Sequence, residues 1–557
     1  MGRTGTMTDI LSIALAQLNP TVGDIAGNIA ALRRARAEAA KQGAGLMVAT
    51  ELVVAGYPPE DLVLKPAFQD AVEVAVKDFA KETADGGPAV ILGAPWRGGD
   101  KLFNAALLLE GGDISYIRFK HELPNYGVFD EKRVFVAGPA PGPVVFKGVR
   151  LGLQICEDMW FPDVSETLVE SGAEILIVIN GSPFESDKPD ERLNLAVARV
   201  NETGLPLIYV NQICGQDELV FDGASFALNA DHSLAAQLAA WREEVATTRW
   251  QREGKGWRCV ADRIVPVRNG LEAIYQAMLV GVRDYVTKNG FPGVLVGLSG
   301  GIDSALTAVA AADALGPDKV HCLRLPSRIT SRESMEDAAE LARLVGLRLD
   351  TVSIAPAVEA FDAMLTPALG AHPKNVTAEN IQPRARAMVL MALSNATGNM
   401  LLTTGNKSEM SVGYATLYGD MCGGYNALKD IYKTTVYALS RWRNQVHPEG
   451  ALGPAGRVIP ERILTKAPTA ELKPDQTDQD TLPPYEILDG ILQCLIEHEM
   501  RPEEITALGF ERETVMRVWS MLDKAEYKRR QAAPGVKITR RAFGRDRRYP
   551  ITNRFKG

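Results

Sequence analysis

A regular alternation of apolar, strand-like runs and amphipathic, helix-like runs breaks off once in this chain, across the polar, tryptophan-containing stretch from about 241 to 268, and then restarts. Before the break, "LSIALAQLN", "GLMVATEL", "AVILGAPW", "VRLGLQICED", "AEILIVINGSP" and "LPLIYVNQIC" read as strands, and "GNIAALRRARAEAAKQGAG" and "DERLNLAVARVNETG" as helices. The glycine pair at 111–112 marks a hairpin. After the break, "GVLVGLS", "KVHCLRLPS", "LDTVSIAP" and "NMLLTTGN" alternate with helices, the pattern of a doubly wound parallel sheet. At 557 residues the chain exceeds one core, and roughly two to four domains are expected. The break places a boundary near 265. The expected layout is a disordered leader over 1–9, one α/β domain over 10–265, and a second over 266–557 that ends in a basic tail.

The net charge of −8 demands neither nucleic acid nor an acidic membrane surface. The cysteines at 156, 214, 259, 322, 422 and 494 form no CxxC pair and no metal-ligand spacing, so a reducing, cytoplasmic compartment is expected. No apolar run approaches the roughly 18 residues a membrane helix needs. "MGRTGTM" fits the loose myristoylation pattern through Gly2 and Thr6; a leader before Met7 is the reading adopted. From Lys524 to Arg548 the tail holds ten Lys or Arg, read mostly as surface or subunit contact rather than as a tRNA-binding patch.

The stretch "GVLVGLSGGIDSAL", 293 to 306, combines a strand, a tight glycine loop and a helix start. Backbone N–H groups of Gly297, Leu298, Ser299, Gly300, Gly301, Ile302, Asp303 and Ser304 face the space beyond the strand, where the helix dipole favours an anion. Glycine admits close approach of a phosphate. Asp303 beside a phosphate implies an intervening cation, Mg²⁺. The GxxxxGK[ST] pattern of kinase-like loops is absent here. A glycine turn with a Ser or Asp helix cap is the plainer account, and the full SGGxDS string after an apolar strand weakens it.

The string resembles the pyrophosphate (PP) loop of the ATP pyrophosphatases, which adenylate a substrate oxygen, release pyrophosphate and let a nucleophile displace AMP. "KNVTAENIQPRARAM", "LLTTGNKSEMSVGYATLYGD", "ELKPDQTDQDTLPPYEILD" and "EYKRRQAAPGVKIT" are together similar to the NAD synthetases. The resemblance implies ATP as substrate, with Thr404 on it. It also implies that Asn375, Glu409 and Lys528 contact deamido-NAD, that Arg384 lies near the nucleotide, and that Asp303 and Glu409 hold Mg²⁺. "GGYNALKDIYKT" departs from the family pattern at Ala427 and Tyr432, where prolines are expected.

In the first domain, "RLGLQICEDMWFP" places Cys156 just past an apolar strand, "MVATELVVAGYPPEDL" places Glu51 at a strand end, and "IRFKHELPNYGVFDEKRVF" places Lys120 at another. An isolated cysteine is more often an inert buried residue. Glu, Lys and Cys in that order resemble the nitrilase superfamily, which implies an αββα sandwich. It also implies Cys156 as nucleophile, Glu51 as general base and Lys120 as stabiliser of the tetrahedral oxyanion. Glu131 either orients Lys120 or is an exposed loop charge. His121 is read as packing or capping, and Cys214 as structural. Tyr126, Ser182 and Lys188 match glutamine-binding positions of the glutamine-dependent NAD synthetases.

The joint resemblance implies ATP-dependent amidation of deamido-NAD with ammonia from glutamine, by a homo-oligomer that binds neither nucleic acid nor membrane. The alternatives are a nitrilase-coupled PP-loop amidotransferase acting on another carboxylate or on tRNA, and a nucleotide-binding regulator with decayed sites.

Overall fold

The computed structural model describes residues 9–260, 263–473 and 476–555. The expected leader, with Gly2 and Thr6, lies outside these residues apart from Asp9. They divide into two compact units, one reaching to Gln216 together with Val220–Arg268, the other from Asn269 onward together with Asp217–Leu219.

The first unit holds two stacked sheets. One has seven strands, in the order Gly256–Val260, Glu244–Glu253, Ile10–Gln17, Leu46–Val48, Ala89–Gly98, Lys101–Glu110, Asp113–Phe119. The other has six, in the order Leu234–Gln237, Phe226–Leu228, Leu207–Asn211, Ile175–Asn180, Val149–Ile155, Val144–Phe146. The period-two alternation of strands decides the layers. Leu11, Ile13 and Leu15 face Leu151, Leu153 and Ile177 across the space between the sheets. Ala14 and Ala16 point the other way, toward Ile29 and Leu32 of helix Ile25–Lys41 and Phe79 of helix Pro66–Glu82. Helices Pro162–Glu170 and Lys188–Thr203 cover the second sheet through Val164, Leu168, Ala196 and Val200. This is the αββα sandwich expected.

The stretch read as a break in rhythm is instead two strands of the first sheet. Glu244–Glu253 runs antiparallel to Ile10–Gln17 over eight residue pairs and carries Gly256–Val260 on its far side. Thr248 and Trp250 are buried there while Arg249, Gln251 and Glu253 are exposed, so its polarity around them is that of a strand with one wet face.

The second unit is built on a parallel sheet in the order Arg348–Thr351, Val320–Arg324, Val294–Gly297, Met400–Thr403, Tyr425–Asn426. The chain winds outward on one side of Val294–Gly297 and then on the other. The strand order therefore reverses between Val294–Gly297 and Met400–Thr403, and ligands of such sheets bind at that reversal. Helix Ala355–Leu369, not expected from the sequence, buries none of its residues. The basic tail is less of a surface feature than expected. Arg529, Lys537 and Arg547 are buried; Arg529 pairs with Glu526, and Lys537 with Asp546.

Candidate active sites

Cys156 follows strand Val149–Ile155 directly and opens the short 3-10 turn Cys156–Met159. Its φ of +46° lies in the left-handed region, a strained conformation for a side chain with a Cβ, as at many presented nucleophiles. Asp158 fixes the turn. It accepts from the Ile155 N–H at 3.0 Å and from the His121 and Glu122 N–H groups at 3.0 and 2.8 Å, which ties the cysteine turn to the loop after Lys120. His121 packs as expected, with its Nδ1 2.7 Å from the Gly138 carbonyl.

Glu51 sits three residues past strand Leu46–Val48 and is completely buried, as is Lys120, which directly follows strand Asp113–Phe119. Lys120 Nζ donates to Glu51 Oε1 at 2.7 Å and to Glu131 Oε1 at 2.9 Å. Glu131 is 5% exposed, which excludes the loop-charge reading and leaves it on Lys120. Glu51 Oε1 also accepts from Asn104 Nδ2 at 2.8 Å, and its Oε2 from the Gly181 N–H at 2.8 Å. Gly93 makes room for this carboxylate. A Cβ there would stand 2.3 Å from Leu52 N and 2.7 Å from Glu51 Cα.

Electrostatics complete the picture. Burial pushes the Cys156 thiol well up, and the Glu51 charge adds to this against the opposing pull of Lys120. The thiol thus needs a base at the moment of attack. Burial opposes the Lys120 charge, but Glu131 and Glu51 together carry the ammonium above the usual lysine range. Burial pushes Glu131 up to about 7 despite Lys120.

Of the three positions matched to glutamine binding, Tyr126 is half exposed and its hydroxyl donates to Glu157 at 3.0 Å. Lys188 lies with its Nζ 4.1 Å from the Trp160 ring centre and close enough to Glu157 to stabilise its charge. Ser182 is buried, its N–H donating to Asn211 Oδ1 and its Oγ accepting from Arg192 Nε, both at 3.0 Å. Glu157, next to the nucleophile and itself pushed up by burial, is the hub that the sequence reading passed over. Cys214 is buried at the start of strand Ile213–Gln216.

In the second unit, the loop after Val294–Gly297 runs into helix Ile302–Leu315. Gly300 has a φ of +84°, and a Cβ on it would meet the Ser334 carbonyl at 2.4 Å, so the loop lies flat against that backbone. Ser304 Oγ accepts from the Ser299 N–H at 3.2 Å, and Ser299 Oγ from the Gly301 N–H at 3.2 Å. Thr404 immediately follows strand Met400–Thr403, which pairs with Val294–Gly297, so it stands on the other lip of the strand-order reversal.

Asp303 and Glu409 meet on one ammonium. Lys433 Nζ is 2.5 Å from Asp303 Oδ2 and 3.1 Å from Glu409 Oε1. Asn406 Nδ2 donates to the other oxygen of Asp303 at 2.9 Å and its Oδ1 caps the Glu409 N–H at 3.0 Å. Burial pushes Glu409 up to about 8 although Lys433 opposes it. Lys433 lies in the quoted "GGYNALKDIYKT" stretch, but nothing in its neighbours there signals the contact. Of the other predicted residues, Lys528 donates to the carbonyls of Gly413 and Ala415 at 2.7 and 2.6 Å, and Arg384 Nε to that of Leu417 at 3.2 Å. Asn375 is exposed at the start of helix Asn375–Thr397, and among the described residues no hydrogen bond joins it to the loop. Ala427 and Tyr432 are both buried.

Residues 274–532 match the NAD synthase family and residues 12–256 the carbon-nitrogen hydrolase family. The chain is 49% identical over 550 residues to the glutamine-dependent NAD(+) synthetase of Rhodobacter capsulatus, covering 99% of this chain and 100% of that one. The structure of the glutamine-dependent NAD+ synthetase from Acinetobacter baumannii in complex with ADP is similar at 40% identity, with a TM-score of 0.78 over 98% of this chain and 99% of that one. The fold is shared with a glutamine-dependent NAD(+) synthetase from Cytophaga hutchinsonii at 22% identity, with a TM-score of 0.81 over 98% of each chain. Similar to these relatives over nearly its whole length, with a buried Cys–Glu–Lys cluster in one unit and a glycine loop at the sheet reversal of the other, the chain belongs to the glutamine-dependent NAD(+) synthetases.

Proposed function

We propose that this chain amidates deamido-NAD to NAD with ATP, taking the nitrogen from glutamine. The observation that carries the reading is the buried contact of Lys120 with Glu51 in the same unit as the strained Cys156, in a chain that also bears the SGGIDS loop.

In the first half-reaction, Glu51 takes the Cys156 proton as sulfur bonds to the side-chain carboxamide carbon of glutamine. The carbonyl oxygen becomes an oxyanion, and Lys120 offsets its charge. Collapse expels ammonia, which leaves with the proton from Glu51. Water then attacks the thioester, Glu51 takes its proton, and glutamate and the free thiol are regenerated. Tyr126, Ser182 and Lys188 are assigned to glutamine, a role supported by their arrangement around Glu157 and Arg192.

In the second, the nicotinate carboxylate of deamido-NAD attacks the α-phosphorus of ATP and pyrophosphate leaves. Ammonia displaces AMP from the acyl adenylate. Residues Gly297 to Ser304 and Thr404 are assigned to ATP; Asn375, Glu409 and Lys528 are assigned to deamido-NAD. Asp303 and Glu409 fit Mg²⁺: they are hard oxygen donors, and their oxygens already reach a single cation, Lys433 Nζ. Mg²⁺ held there neutralises phosphate charge. No helix among the described residues is long and apolar enough to cross a membrane. We infer a cytoplasmic location, where a thiol nucleophile stays reduced and the ATP used by the second half-reaction is supplied.

A second copy of the chain is proposed to cover helices Ala355–Leu369 and Asn375–Thr397. Phe361, Met364, Leu369, Val376 and Met388 are exposed there, which supports the homo-oligomer. The activity is tested by supplying deamido-NAD and ATP with either glutamine or ammonium. NAD should form with both donors, and failure with both would overturn the reading.

A further inference from the structure

Two buried carboxylates, Glu51 and Glu131, share the single ammonium of Lys120. The Cys156 chemistry needs one of them ionised and ready to accept a proton. Asn104 distinguishes them. It lies in strand Lys101–Glu110, fully buried, with Nδ2 2.8 Å from Glu51 Oε1 and 3.5 Å from Glu131 Oε2; the second contact is too long to count for much. The orientation of its amide is set by the site, since the reverse would press Oδ1 against both carboxylates. Asn104 Oδ1 itself has no hydrogen-bond partner. A buried orphan acceptor is unfavourable, so the donor half is what this position uses. Its backbone carbonyl meanwhile accepts from the Lys120 N–H at 2.8 Å, so one residue holds both the lysine and the carboxylate.

We propose that Asn104 is a positioning residue that keeps Glu51, rather than Glu131, as the ionised base of glutamine hydrolysis. The proposal rests on the reading of Glu51 as that base. Glu51 accepts three N–H groups, from Lys120, Asn104 and Gly181, whereas Glu131 accepts from Lys120 and from the Tyr57 hydroxyl at 3.2 Å. N–H donation favours the charged form of a carboxylate. The titratable groups facing Glu51 are Lys120, Glu131, Cys156, Glu157 and Tyr57.

The test is the pH profile of glutamine hydrolysis by the full-length chain. In Asn104→Leu the acidic limb of kcat/KM should move up by about one pH unit. The value of kcat should fall at least about tenfold, while KM for glutamine changes less than about twofold. Asn104→Ser, which is smaller and cannot reach Glu51, should shift the limb in the same direction and serves if the leucine variant does not fold. Glu51→Gln is run beside them. If Glu51→Gln still hydrolyses glutamine at the parental rate, the base assignment falls and this proposal with it. If Glu51→Gln is inactive but both Asn104 variants keep the parental acidic limb, Asn104 alone loses its role.

Discussion

Lys433 and Asp303 lie 130 residues apart in sequence and 2.5 Å apart in space, each in the first turn of its own helix. The ammonium is 3% exposed and also holds Glu409. Lys433→Met leaves the two carboxylates facing each other in a poorly solvated place, and losing one partner of a buried pair costs about 3 kcal/mol. The thermal midpoint of the synthetase unit should fall by several degrees, measured by scanning calorimetry. An unchanged midpoint would mean that water already satisfies both carboxylates.

Cys156→Ala should lower glutamine-driven NAD formation at least about a thousandfold while ammonium-driven formation survives. Parallel assays with the two donors read this directly. Equal loss of both activities would count against separate sites.

A Cβ on Gly93, in strand Ala89–Gly98, would stand 2.3 Å from Leu52 N, 2.6 Å from the Thr50 carbonyl oxygen and 2.7 Å from Glu51 Cα. Gly93→Ala should push Glu51 by a fraction of an ångström to an ångström. A misplacement on that scale costs about a hundredfold in rate. Glutamine hydrolysis should drop accordingly with ammonium-driven synthesis retained; a parental hydrolysis rate would show that the turn has slack.

Glu131 supplies a pH dependence with a definite sign. Its carboxyl is raised from 4.5 to about 7, chiefly by burial, so the folded chain binds more protons than the unfolded one between those values. Stability from this group is fully present below about pH 4.5 and is lost as the pH rises through about 7. Glu131→Gln removes that slope. The difference in melting temperature between parent and variant should therefore drift in the variant's favour from pH 4.5 to 7, and a difference independent of pH would contradict the raised carboxyl.

Met388 is 72% exposed on helix Asn375–Thr397. Met388→Glu should weaken the proposed self-association, seen as a lower mass in size-exclusion chromatography with light scattering. A mass equal to that of the parent would remove this face from the interface.

The elements and residues legible from sequence share one property: their signal is local. Cys156 and Glu51 stand at or just past the end of short apolar runs, and the SGGIDS loop sits between a strand and a helix, so neighbours in sequence reveal them. Asn104 opens "NAALLLE" and reads as an ordinary strand residue; only the approach of Glu51 from 53 positions away gives it a task. The Gly181 N–H has no side chain to announce it. Strand Glu244–Glu253 escaped notice because only Thr248 and Trp250 in it are buried and its partner lies at the other end of the unit in sequence.

That last pairing reaches beyond stability. Because Ile10–Gln17 and Glu244–Glu253 lie side by side, with Gly256–Val260 next in the same sheet, the chain enters and leaves the amidohydrolase unit along one border. A unit whose two ends meet can be joined to a neighbouring gene product, or moved between hosts, without rethreading any of its strands. The architecture of this bifunctional chain thus has a simple origin available to it: the splicing of a self-closed cassette onto the front of a synthetase.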